Sequence, residues 1–216
     1  MYTVYTFFLM AFTALFVIVN PIGNVMVFLS LTEDRGFDEK KRIAKKTAIF
    51  GSLVLLIFAI FGDFILSFFQ ITVDSLRVIG GILILAIAMD MMQGRKPRAK
   101  HTPEEVKESG ERDDISFFPL AVPMLAGPGA ITTAIVLMKT AESIPFKVVV
   151  LISIILTFLI TGILFRMSEQ IHRVLGVTGS MVITRMMGLI LGAIAVQFVT
   201  KGLWDIFLAL QQSGVG

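Results

Sequence analysis

Six apolar stretches run through the chain, over residues 4–31, 47–69, 75–92, 117–138, 146–165 and 181–208. Each is long enough for a helix rising about 1.5 Å per residue to cross a bilayer, which takes roughly 20 residues. None alternates apolar and polar positions, so a barrel of transmembrane strands is disfavoured. The pattern predicts an all-α integral membrane protein with six spanning helices. Two of the six are interrupted near their middles, by "NPIGN" (20–24) in the first and "AGPGA" (126–130) in the fourth.

Those interruptions have a physical consequence. Proline has no N–H and collides with the carbonyl one turn earlier, and glycine favours unwinding. Each break is expected to free backbone carbonyls and amides. Unpaired groups are costly in hydrocarbon, and such backbone is tolerated only where it is buried in protein or lines a wet cavity. The first and fourth helices are therefore expected to be discontinuous, with Pro21 and Pro128 near the midplane.

The two halves also resemble each other. "SLRVIGGILILAIAMDMMQG" (75–94) aligns without gaps on "ITRMMGLILGAIAVQFVTKG" (183–202). Arg77 and Arg185, Gly80 and Gly188, and Gly94 and Gly202 all stand 108 positions apart; Pro21 and Pro128 stand 107 apart. Three helices is an odd number, so the second half enters from the opposite face. The expected architecture is two inverted three-helix repeats, 1–92 and 117–216, joined by a linker at 93–116.

Charge then sets the orientation. Fifteen of the nineteen Lys and Arg residues fall in or flank the connections after the first, third and fifth helices. The excess of basic residues predicts a cell membrane protein with the 33–46 and 93–116 loops cytoplasmic and both termini outside. Charged residues make up 16% of the chain, against about 25% in soluble domains. There is no Cys, and His101 and His172 lie outside the apolar stretches. No metal site, cofactor or nucleic-acid partner is expected.

The chemistry of a site follows from the breaks. The half-helix that resumes after a break offers amides and a positive dipole end to a carboxylate. The half-helix that stops there offers carbonyls to an ammonium or a cation. Gly23, Ala126, Gly127, Gly129 and Ala130 keep the space small. Asn20 and Asn24 add amides, and Thr132 and Thr133 add hydroxyls. The combination fits a small neutral amino acid such as glycine or alanine. Asp63, in the outer third of the second helix, is the candidate for coupling to a proton or sodium; an interfacial carboxylate is the simpler role for it.

"FVIVNPIGNVMVFLSLT", "PLAVPMLAGPGAITTAIVLM", "LRVIGGILILAIAM" and "RMMGLILGAIAVQ" together resemble the MarC/SnatA family of membrane proteins over nearly the whole chain. The resemblance implies six spanning helices and, in the characterised branch, transport of small neutral amino acids. It also implies that Asn20, Pro21, Gly23 and Asn24, with Gly127, Pro128 and Gly129, surround the substrate. Met26 stands where many members carry proline, which removes one kink. The expected function is secondary transport by alternating access, with the lipid bilayer and a small neutral amino acid as partners. The alternative is a channel for an ion or small polar solute. An enzyme is not expected, because the apolar stretches hold no nucleophile–base pair.

Overall fold

A computed structural model describes residues 3–94 and 115–212. Most of the 93–116 linker, with its six basic residues, lies outside the described residues. The described residues are helical, with no strand among them. The elements are α1 (Val4–Val19), α2 (Pro21–Leu31), α3 (Phe37–Phe68), α4 (Val73–Met92), α5 (Ser116–Leu125), α6 (Pro128–Thr140), α7 (Ile144–Arg166) and α8 (Ser168–Gln212). Among the described residues five continuous stretches are long and apolar enough to span a membrane, taking α1 and α2 as one; the α5–α6 pair, bent by 61°, is a sixth when counted as one span.

Two helices begin earlier than their apolar stretches. α3 starts at Phe37, so much of the charged 33–46 connection is coiled. Asp38 and Glu39 in its first turn complement the positive end of the helix dipole. α8 starts at Ser168 and is broken at Gly176, where φ is 59° and ψ −171°. A side chain is strained there, and glycine is not. Lys40 on α3 holds Glu169 on α8 at 2.9 Å, tying the two charged segments together.

α5 is not a regular helix. Phe118 and Val122 are extended, each just before a proline, which is the conformation that proline imposes on its predecessor. The α5–α6 pair nevertheless crosses the bundle. Thr47 of α3 donates a hydrogen bond to the Ser116 carbonyl, and Asp63 of α3 pairs with Lys139 of α6. Those two levels are sixteen residues apart on one helix, or about 24 Å.

Close packing is carried by glycines. A Cβ added at Gly81 would lie 2.7 Å from Val199; at Gly188, 2.9 Å from Met91; at Gly202, 2.8 Å from Val78. Positions on α8 fall as positions on α4 rise, so these helices cross antiparallel with their backbones in near contact. Small residues permit that approach where lipid supplies no hydrophobic drive between helices. The outward faces are apolar: Ile57, Phe64, Leu159 and Leu189 are exposed, as a chain solvated by lipid tails requires.

Candidate functional site

The helical ladder stops at Val19 and resumes at Pro21, leaving one residue between. Asn20 is left-handed, with φ 52° and ψ 59°. Asparagine is one of the few residues besides glycine that adopts this conformation readily. Its amide still donates to the Phe16 carbonyl at 2.9 Å, closing α1. Its side chain caps α2: Oδ1 accepts from the Gly23 amide at 3.2 Å. Asn24 reaches back and donates from Nδ2 to the Val19 carbonyl at 2.8 Å. Pro21 has no N–H for the Val17 carbonyl. The break is thus much smaller than the sequence suggests, because the asparagine side chains replace backbone partners that the proline removes.

The second break is wider. Gly127 is extended, with φ −81° and ψ 175°, and no side chain caps α6. The Ile131 amide bonds the Gly127 carbonyl at 3.0 Å. Pro128 contributes no donor, so the first-turn amides of Gly129 and Ala130 are those at the open end of α6. A Cβ at Gly127 would stand 2.5 Å from the Pro123 carbonyl oxygen, so a side chain there forces the backbone to move.

The two breaks meet. A Cβ added at Gly129 would lie 3.0 Å from Ile18 Cδ1 on α1 and 3.4 Å from both Ile84 and Ile87 on α4. Asn20, Pro21, Asn24, Ala126, Gly127, Gly129, Ala130, Thr132 and Thr133 are buried; Gly23 is half-buried, and Pro128 is exposed. The Thr133 hydroxyl donates to the Gly129 carbonyl of its own helix at 2.8 Å. Thr132 lies against Gly80 of α4, where an added Cβ would meet its Cγ2 at 2.0 Å. Among the described residues this region is closely packed, and the cavities of about 330 and 390 Å³ lie elsewhere.

Asp63 does not join this cluster. It pairs with Lys139, and both side chains are about half exposed. They line the 390 Å³ cavity together with Glu142 and Lys147. Gly62 packs on Ile135, six residues or about 9 Å of helix beyond Gly129. An exposed pair of this kind contributes roughly 0–1 kcal/mol.

A second ionic cluster was not anticipated. Arg77, buried between helices, donates to Asp74 at 2.9 Å and to Asp205 at 2.7 Å. It also lies 3.5 Å from the Thr140 hydroxyl. It ties α4, α6 and α8 together at the end opposite the basic connections. In the sequence Arg77 stands out only as the repeat counterpart of Arg185. Arg77 and Asp205 stand at helix ends predicted to share one side of the membrane, and that shared side was the available signal.

Residues 5–207 match the family described as MarC family integral membrane protein. The chain belongs to the MarC family. It is 43% identical over 197 residues to the UPF0056 membrane protein MJ1677 of Methanocaldococcus jannaschii, covering 91% of this chain and 96% of that protein. It is 40% identical to the UPF0056 membrane protein YvbG of Bacillus subtilis over 207 residues, 95% of this chain and 98% of that one. It is 38% identical to the UPF0056 membrane protein YhcE of Escherichia coli over 199 residues, 92% and 93% of the two chains. No solved structure matches the chain. These MarC family relatives are named as membrane proteins without a substrate, so the chemistry of the breaks carries the functional reading.

Proposed function

We propose that the protein is a secondary transporter of small neutral amino acids, glycine- or alanine-like, working by alternating access. The observation that carries this reading is the meeting of two broken helices in the core, Gly129 against Ile18. The uncapped start of α6 would receive the carboxylate, with the dipole contributing about 0.3–2 kcal/mol. Carbonyls at the end of α1 would receive the ammonium, once Asn24 releases Val19. Gly23, Ala126, Gly127, Gly129 and Ala130, walled by Ile18, Ile84 and Ile87, leave no room for a long side chain.

In this reading residues 1–92 and 117–216 are inverted repeats. The antiparallel crossing of α4 and α8 supports it: Gly188 approaches Met91 and Gly81 approaches Val199, positions that exchange, within one residue, under the offset of 108. The packed arrangement would be an occluded state, opened as one part of the bundle rocks against the rest. The excess of basic residues makes the 33–46 and 93–116 side cytoplasmic and puts both termini outside. Asp63, paired with Lys139, would then sit at the outer mouth, in reach of a coupling proton or sodium.

Counterflow of labelled glycine in proteoliposomes tests the reading, with pH and sodium varied separately. Unlabelled internal glycine or alanine should drive accumulation of label several-fold above equilibrium, and lysine or phenylalanine should not. Label equilibrating at a rate indifferent to internal substrate would indicate a channel. Indifference to every small amino acid would overturn the substrate assignment.

A further inference from the structure

A groove of about 330 Å³ runs between α3 and α7. These helices lie antiparallel, with Gly162 against Ala48 and Gly51 against Phe158. That register brings Lys45 of α3 and Arg166 of α7 to the same end of the groove, and both line it. Among the described residues they are the only charged ones lining it. Both are exposed, and neither has an acidic partner in the ion pairs among the described residues. Away from them the described lining is apolar except for Ser52, whose hydroxyl donates to the Ile49 carbonyl at 3.0 Å. Gly162 and Ala48 keep the floor low, and exposed Ile49 and Ile155 form walls that face lipid.

The dimensions are those of one leaflet. From Arg166 to Ile155 is eleven residues, or about 16 Å of helix. Half of a bilayer's hydrocarbon core is about 15 Å. Two cations stand at the surface end, and an apolar channel of leaflet depth runs inward from them. A zwitterionic lipid would bring its own cation against Lys45 and Arg166, while an anionic one would not.

We infer that the α3–α7 groove is a binding site for an anionic glycerophospholipid, with its phosphate between Lys45 and Arg166 and one acyl chain along Ala48 and Gly162. The site is separate from the helix breaks and stands whether or not the protein transports amino acids. Pockets between spanning helices with basic rims are suited to such headgroups. The remaining cations of the 33–46 segment give only diffuse attraction, and Lys41 is in any case turned to Asp38 and the Phe37 ring.

The test is lipid retention by the purified full chain in detergent, read by native mass spectrometry. The probes are phosphatidylglycerol and phosphatidylcholine with identical acyl chains. The wild type should retain phosphatidylglycerol about tenfold better. K45Q/R166Q should lose that preference, K41Q/R42Q should keep it, and the charge-conserving K45R/R166K should keep it too. Inorganic phosphate at millimolar concentration should not displace the lipid. Equal retention of the two lipids, an unchanged preference in K45Q/R166Q, an equal loss in K41Q/R42Q, or displacement by free phosphate would each overturn the assignment.

Discussion

Asn20→Ala is expected to destabilise the protein by about 2–4 kcal/mol, whereas Asn20→Gly costs only about 1 kcal/mol. Two terms separate them. Alanine in the left-handed region costs about 1–2 kcal/mol, and glycine there costs almost nothing. Both lose the cap on the Gly23 amide, worth about 0.5–2 kcal/mol for alanine and less for glycine. That amide is then left in a half-buried break where water replaces the lost bond poorly. At about 2–4 °C per kcal/mol for a chain of this length, Asn20→Ala should lower the thermal midpoint in detergent by about 4–16 °C. The glycine variant should fall less than half as far. Equal losses in the two variants would mean that the backbone at position 20 is not left-handed.

The second large effect is expected at Arg77. Arg77→Met leaves Asp74 and Asp205 facing each other without the guanidinium between them. Removing one partner of a fully buried pair costs about 3–5 kcal/mol. Here the two carboxylates are 34% and 32% exposed, so solvent screens part of the loss and about 2–4 kcal/mol is expected. Adding Asp205→Asn should recover part of it, because the like-charge repulsion is relieved. Arg185, the counterpart 108 positions on, is exposed; Arg185→Met should change stability by no more than about 0.5 kcal/mol. Thermal unfolding of Arg77→Met, Asp205→Asn and the double variant beside the wild type forms the double-mutant cycle, with Arg185→Met as its control. An Arg77→Met protein as stable as the Arg185→Met protein would contradict the ionic tie between α4, α6 and α8.

The apolar spans and the backbone irregularities at Asn20 and Gly127 were legible because each leaves a one-dimensional trace. A stretch of about 20 apolar residues has few other uses, and a Pro–Gly cluster inside one has a direct effect on the ladder. What happens to the freed groups was not legible. Asn20 and Asn24 read as donors and acceptors for a solute, yet they bond Gly23 and Val19. The residues that break a helix and the residues that repair it have the same composition, and only the fold separates them. The true start of α3 at Phe37 was hidden for a different reason: charged residues coil as readily as apolar ones, so hydropathy marks the membrane and not the helix. The pairs Asp63–Lys139 and Arg77–Asp205 join positions 76 and 128 residues apart, and no local pattern encodes such partners.

If the protein works as proposed, the segments at Asn20 and Gly127 that touch in the core part around a small dipolar guest. The chain has no native cysteine, so Ile18→Cys with Gly129→Cys gives a clean crosslinking pair across the breaks, and Ala48→Cys with Gly162→Cys gives a reference pair on α3 and α7. The measurement is disulfide yield in native membranes under mild oxidation, with and without glycine. Both pairs should crosslink without glycine, and glycine, but not lysine, should slow the 18–129 pair alone. Failure of the 18–129 pair while 48–162 crosslinks, or a yield that glycine leaves unchanged, would contradict the account.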